Sequence, residues 1–422
     1  MLITALILFI ITYVLMLSLS KYRYVIALVS AFLFVAIGIL PISKVFPAVD
    51  FNVILMIAGT MGTVSLFIES KMPALLSDLL IRKVPNACVA VISLALFAGI
   101  ISAFVDNVAT VLMVAPVGLA IAKKLKISPV SVLISIAVSS NLQGAATLVG
   151  DTTSILLGGH ADMDFLDFFF MDGKPGIFWA VELGALGTIP VLMYLFRKEK
   201  QPIVITETTK VTEFVPTVLL CGTVISLIAA SFIPNKPSIT NGILCVGFFL
   251  IGILWSYRKN HNFNSAVKAF KEIDYQTLLL LLGLFIVIAG ITEAGLIDKI
   301  SEYFVLLAGD NVFIVYTLLV FASVIFSAFI DNIPYVATML PVVSSIAGIM
   351  NVEPHLLYFG LLIGATLGGN LTPIGASANI TAIGILRKDG YEVKTRDFLR
   401  IGVPFTLMAV LIGYVLIWFI YK

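Results

Sequence analysis

Residues 102–117 read SAFVDNVATVLMVAPV, and residues 327–342 read SAFIDNIPYVATMLPV. Eight of these sixteen positions are identical at a constant offset of 225. The same offset aligns Thr147-Leu-Val-Gly150 with Thr372-Pro-Ile-Gly375, and Ser154 with Asn379. At an offset of 224, Asp50, Gly59 and Glu69 match Asp274, Gly283 and Glu293. The register holds over more than 100 residues with a one-residue slip, as a duplicated unit requires.

The solvent of this duplicated unit is lipid. Of 422 residues, 60% are hydrophobic and 12% charged, where a soluble domain carries about 25% charged residues. The net charge of +2 and the lack of a long basic run exclude a nucleic-acid partner. Cys88, Cys221 and Cys245 form no C-x-x-C pair and read as small apolar packing residues, not as a metal site or disulfide framework. Residues 2–19 are apolar, but no basic residue precedes them and Lys21 and Arg23 follow, so the run reads as a retained first membrane helix.

A crossing helix needs about 20 apolar residues. Ten stretches qualify: 2–20, 24–42, 51–69, 128–157, 175–196, 214–233, 239–257, 275–292, 354–386 and 400–421. Two more, 87–122 and 310–350, carry an Asp-Asn pair in the middle and read as re-entrant helical hairpins. With both termini external and each hairpin returning to its own side, only Lys44, Lys174, Lys236, Lys299 and Lys422 of the 26 Lys and Arg residues face outward. The excess of basic residues inside fixes that orientation in a plasma membrane. The acidic loop with Asp162, Asp164, Asp167 and Asp172 then lies outside. The expected fold is an all-α polytopic membrane protein with about ten transmembrane helices, two re-entrant hairpins and two broken helices. Its halves, residues 1–196 and 214–422, are joined by a cytoplasmic linker, 197–213. Five crossings per half is an odd number, so the second copy enters the bilayer upside down. Inverted repeats of this kind build alternating-access transporters, with the site near the midplane between copies.

Four segments put polar groups where hydrocarbon should be. Asp106-Asn107 and Asp331-Asn332 sit mid-hairpin, while Asn141 to Ser154 and Asn370 to Asn379 interrupt two long spans. Freed backbone groups in hydrocarbon cost several kcal/mol each unless protein or water satisfies them, so an unwound turn is tolerated only where it is sheltered or lines a cavity. There carbonyls can bind a cation, and half-helix N-termini can meet an anion. The candidate solute- and ion-binding residues are therefore Asp106, Asn107, Asn141, Thr147, Gly150, Asp151, Thr152, Ser154, Asp331, Asn332, Asn370, Thr372, Gly375, Ser377 and Asn379, with Na⁺ expected near Asp106, Asn107, Asp331 and Asn332. An aspartate at the bilayer centre costs about 3 kcal/mol unless hydrated or paired. Apart from Arg400 at the first position of the last one, no Lys or Arg falls inside a predicted span, so Asp106, Asp151 and Asp331 are read as lacking a basic partner. They are candidate proton carriers, Na⁺ ligands or acceptors from amides and hydroxyls; capping of the half-helices at the tips is the blander role. Glu182 has no counterpart in the second half and reads as a packing or interfacial acid. His160, His261 and His355 read as ordinary loop residues. No His-x-x-x-His, Ser-Lys or Gly-x-Ser-x-Gly arrangement marks an enzyme within the spans. No cofactor is called for beyond Na⁺ or H⁺ as coupling ion.

At these motifs, and in NLTPIGASANITAIGILRKDGYEV followed by RDFLRIGVP, the chain resembles the ion transporter superfamily. That group includes the arsenite permease ArsB, the Na⁺/H⁺ antiporter NhaD, the melanosomal P protein, and citrate or dicarboxylate symporters. The resemblance implies that the hairpin tips and helix breaks frame the transport site, that one domain moves against a scaffold, and that the protein forms a homodimer. It implies transport of a small anion, inorganic or carboxylate, or of arsenite, coupled to Na⁺ or H⁺, with Na⁺/H⁺ antiport as the alternative. One departure stands out. The arsenite-permease and P-protein branch commonly reads Gly-Asp-Pro-Pro-Asn at the first break, where this chain has Gly150-Asp151-Thr152-Thr153-Ser154.

Overall fold

The computed structural model describes every residue except 203–208, 261–263 and 310. His261 and the middle of the linker lie outside the described residues. Among those described, twenty α-helices form, ten on each side of the linker. The first ten are α1 (Leu2–Ser18), α2 (Arg23–Ala36), the single turn α3 (Val45–Ala48), α4 (Phe51–Glu69), α5 (Met72–Ile81), α6 (Ala87–Ser102), α7 (Asn107–Leu125), α8 (Pro129–Gly144), α9 (Thr152–His160) and α10 (Ile177–Phe196). The second ten are α11 (Val215–Ser231), α12 (Thr240–Asn260), α13 (Asn264–Lys271), α14 (Tyr275–Glu293), α15 (Leu296–Ala308), α16 (Val312–Ser327), α17 (Asn332–Met350), α18 (His355–Gly368), α19 (Ser377–Lys388) and α20 (Thr395–Tyr421). One departure from the all-helical expectation lies in the acidic loop. Phe170–Met171 pairs antiparallel with Lys174–Pro175, because Asp172 and Gly173 both take positive φ and close a two-residue hairpin turn.

The helix boundaries recur at the offsets seen in the sequence. Asp50 caps α4 through the Val53 amide at 3.0 Å, and Asp274 caps α14 through the Thr277 amide at 3.1 Å. Asn86 caps α6 and Asn311 caps α16 by the same bond to a backbone N–H. Lys126 and Asn351 end α7 and α17 in the left-handed conformation. A side-chain oxygen that accepts from a free first-turn amide fixes where a helix starts, so the matched polar residues set matched ends.

Helix direction also follows from matched residues. Lys44, which immediately precedes the short α3 ahead of α4, bonds Glu293 at the end of α14 at 2.6 Å. Lys268, on α13 ahead of α14, bonds Glu69 at the end of α4 at 3.3 Å. The start of each helix thus lies beside the end of the other, so α4 and α14 run antiparallel. Around them α2 packs on α14 and α12 on α4, while a second group pairs α6 with α8, α16 with α18 and α10 with α20.

Crossing lengths differ from the sequence expectation. Among the described residues seven helices are long and apolar enough to cross by themselves: α4, α7, α10, α12, α14, α17 and α20. Two of these, α7 and α17, are the second arms of the expected hairpins. The expected spans at 2–20, 24–42 and 214–233 form helices of 17, 14 and 17 residues. Those at 128–157 and 354–386 are each split in two. Composition marks how far an apolar run extends, but caps and breaks decide how much of it is helix. The apolar surface faces outward where lipid would lie, as at Phe32, Val218 and Leu254.

Candidate functional site

Both long spans are broken where Gly and polar residues interrupt them. The chain leaves α8 after Gly144 and re-enters helix at Thr152; it leaves α18 after Gly368 and re-enters at Ser377. Each break is stitched to the neighbouring hairpin tip. The Thr147 hydroxyl donates to the Ala103 carbonyl, and the Thr372 hydroxyl to the Ala328 carbonyl. A Cβ on Gly150 would lie 2.5–2.8 Å from the carbonyl oxygens of Gly144, Ser102 and Ala103, and one on Gly375 would lie 2.6–2.8 Å from those of Gly369 and Ala328. Only glycine lets the break approach the tip so closely. Ser154 Oγ donates to the freed Gly144 carbonyl at 3.3 Å. At the equivalent position Asn379 Nδ2 donates to the carbonyls of Gly369 and Thr372, both at 3.1 Å. These carbonyls are therefore satisfied by protein, as backbone buried in hydrocarbon requires.

Behind the tips, Asn141 and Asn370 join α8 to α18. Asn107 Nδ2 donates to Asn141 Oδ1 at 2.9 Å; Asn141 Nδ2 donates to the Thr366 carbonyl at 2.6 Å and to Asn370 Oδ1 at 3.1 Å. Asn370 Nδ2 donates to the Val138 carbonyl at 2.9 Å. All three asparagines are buried, and the chain of bonds locks one half to the other.

The tips themselves cap the outgoing arms. Asp106 Oδ1 accepts from the amides of Val108 and Ala109 at 3.0 and 3.1 Å, and Asp331 Oδ1 from that of Ile333 at 3.2 Å. Asp151 starts α9 through the Thr152 amide at 2.7 Å, and its Oδ2 accepts from Thr153 Oγ1 at 3.1 Å and from Asn332 Nδ2 at 3.3 Å. The first break and the second tip thus meet directly.

A cavity of about 400 Å³ opens onto this meeting point. Its inner end is formed by Asp106, Asn107, Asp151, Thr152, Asn332 and Ser377, and its mouth by Glu69, Lys268, Glu272 and Asp274. Of the residues expected from sequence, those six line the cavity. Asn141, Thr147, Gly150, Ser154, Asn370, Thr372, Gly375 and Asn379 stand behind it and hold the tips and breaks. Asp331 faces away from it, into a small pocket with Tyr13, Met16 and Arg23.

That position of Asp331 corrects one expectation. Arg23 Nη1 bonds Asp331 Oδ2 at 2.8 Å, with the two side chains 21% and 8% exposed. The sequence places Arg23 at a helix end rather than within a span, but its long side chain reaches the tip from there. Ser377 Oγ adds a bond to the same oxygen at 3.4 Å. Close by, the Tyr13 hydroxyl donates to the Pro334 carbonyl at 2.8 Å and contacts the Thr338 hydroxyl. Two histidines are also better placed than a loop reading implies. His160 ends α9 and bonds Ser344 Oγ at 2.7 Å, and His355 opens α18 with Nδ1 3.4 Å from Asp172. The other residues missed from sequence, Ser65, Lys268, Glu272, Thr277 and Thr381, reach the cavity from α4, α13, α14 and α19 or the residues beside them. Glu69 and Asp274 had carried a signal, as fixed points of the repeat.

Comparison with known proteins gives a consistent answer. The model of the citrate transporter family, CitMHS, matches residues 6–364 and 261–422. An uncharacterized transporter of Mycobacterium tuberculosis is 29% identical over 95% of this chain and 94% of its own length. A 46 kDa membrane protein of Mycobacterium leprae is 32% identical over 76% of this chain and 74% of its own. The human P protein is 28% identical over 76% of this chain, which spans about half of that longer protein, 48%. Among solved structures, the Alcanivorax borkumensis YdaH transporter superposes with a TM-score of 0.59 at 14% identity, covering 92% of this chain and 87% of that one. MtrF of Neisseria gonorrhoeae superposes with a TM-score of 0.57 at 14% identity, covering 95% and 85%. These two likenesses are of fold.

Proposed function

The chain belongs to the citrate transporter family and is an integral membrane transporter, and on that premise we propose that it is a cation-coupled secondary active transporter of a small anion, inorganic or carboxylate, or of arsenite. Residues 1–196 and 214–422 act as inverted repeats about the linker 197–213, with both termini external. The solute binds at the tips and breaks, reached alternately from each face. The single observation behind this is the cavity that leads from one charged face to Asp106, Asp151, Asn332 and Ser377. Its volume suits a small solute, and the antiparallel course of α4 and α14 supports two pathways related by inversion. In this conformation the mouth is cytoplasmic, and the Arg23–Asp331 and Tyr13–Thr338 contacts fasten the second hairpin arm so that the opposite pathway stays shut.

Charge narrows the mode of entry. Glu69, Asp106, Asp151, Glu272 and Asp274 line the cavity, with Lys268 as the one basic side chain among the described residues, and Lys268 is held by Glu69. A bare polyanion meets repulsion there, so an anion enters with cations that the carboxylates hold, and a neutral metalloid hydroxide enters unhindered. The same carboxylates favour a second reading, Na⁺/H⁺ antiport with no other solute. Purified protein in liposomes separates the two. Uptake of arsenite, phosphate, sulfate, citrate or a C4-dicarboxylate under an imposed Na⁺ or proton gradient is the expected result. Na⁺-driven collapse of a pH gradient with every solute inert would replace it with the second, and silence in both assays would overturn both.

A further inference from the structure

The last helix of each half, α10 and α20, pack along one another, and a groove of about 450 Å³ opens between them at one end. Arg197 and Lys198 approach it from the end of α10 and Arg400 from α20, over a floor of Val191, Leu195 and Pro404 with Tyr194 at the side. Among the described residues, no carboxylate lines this groove and none of the three cations belongs to an ion pair. The Arg197 guanidinium stacks 3.8 Å above the Tyr194 ring centroid and Nη1 donates to the Tyr194 carbonyl at 2.8 Å. That arrangement fixes the planar fork with most of its donors free. Below the cations, exposed Leu186 and Met193 on α10 and Leu407 and Leu411 on α20 continue as an apolar face toward the bilayer interior.

Three like charges brought together from two helices repel one another unless an anion lies between them. Their place, at the ends of crossing helices on the face that the basic residues mark as cytoplasmic, is where anionic headgroups concentrate. We propose that this groove binds the headgroup phosphate of an anionic phospholipid, with Arg197, Lys198 and Arg400 on the phosphate and an acyl chain along Val191, Leu195 and the face below. One wall comes from each half, so the bound lipid bridges the two C-terminal helices of the repeats.

The test uses the full chain purified in detergent, with native mass spectrometry after addition of phosphatidylglycerol or phosphatidylcholine. Wild-type protein is expected to retain phosphatidylglycerol at least about tenfold better. The double variant Arg197→Gln/Arg400→Gln is expected to lose that preference, while Arg197→Lys/Arg400→Lys keeps most of it and Lys299→Gln, exposed elsewhere, keeps all of it. If the neutral double variant does not purify as a single species, Arg400→Gln alone serves, with a loss of at least about threefold expected. Equal retention of both lipids by wild type, or an unchanged preference in the neutral variants, would overturn the proposal. So would inorganic phosphate at millimolar concentration displacing the lipid completely, because the groove would then be a site for a soluble anion.

Discussion

The two hairpin tips start from nearly the same sequence and end in different electrostatic settings. At Asp106 one oxygen caps α7 and the carboxylate faces the cavity, where no ion pair forms with it among the described residues. At Asp331 one oxygen caps α17 in the same way, but the other is bonded to Arg23 and the group is turned from the cavity. The difference teaches that duplication copies the helix-start device and leaves the charge partner to the surroundings. In the cycle proposed above, the ion-carrying role is assigned to Asp106, with Asp151 beside it, and the latch role to Asp331.

The largest effect expected from this difference is in transport. Asp106→Asn keeps a good cap but removes the cavity charge, and should lower coupled flux in liposomes at least about 100-fold with melting in detergent little changed. Asp331→Asn should lower flux less than about tenfold, yet strand Arg23 and lower stability by about 2–3 kcal/mol, reduced from the fully buried case because Arg23 is partly exposed. Equal losses of flux at both tips would erase the distinction.

A smaller effect sharpens the latch. Arg23→Gln should weaken the hold on the second tip and shift protein out of the conformation in which the cavity is open. Thr381 lines that cavity, so Thr381→Cys, in a chain lacking Cys88, Cys221 and Cys245, reports on access. Its labelling by a water-soluble maleimide should slow about fivefold when Arg23 is replaced, as the fraction of protein with the cavity open falls in proportion. An unchanged rate would sink the latch.

The smallest effect compares the two breaks. Asn379 holds two carbonyls and Ser154 one, at a longer distance. Asn379→Ala should therefore destabilise by about 2 kcal/mol and Ser154→Ala by under about 1 kcal/mol, read as the difference in thermal unfolding in detergent. The reverse order would mean that the second break is held by something other than Asn379.

Much of the site was legible because its residues have no other reason to be in hydrocarbon. Asp106, Asn107, Asp151, Thr152, Asn332 and Ser377 stood out as polar groups in apolar runs, and all six line the cavity. Thr147, Gly150, Thr372 and Gly375 stood out by the same signal but serve the backbone instead, since composition registers polarity and not which way a side chain faces. Ser65, Thr277 and Thr381 were missed because an isolated hydroxyl in an apolar helix can bond its own backbone and carries no burden that marks it.

The sequence alone determined the solvent, the matched polar segments at a constant offset and the places along the chain where helix must give way. Each of these is written in local composition, because hydrocarbon penalises every exposed backbone and charged group wherever it occurs. Only the tertiary structure decided how the two copies diverge. Gly99 on α6 makes room for Gln143 on α8, whereas in the second copy the small residue is Gly368 on α18, packed against the Val324 backbone of α16. Arg23 likewise finds Asp331 across 308 positions of chain. Contacts of this kind depend on the shape and charge of both surfaces once they have met, and neither surface specifies its partner in advance.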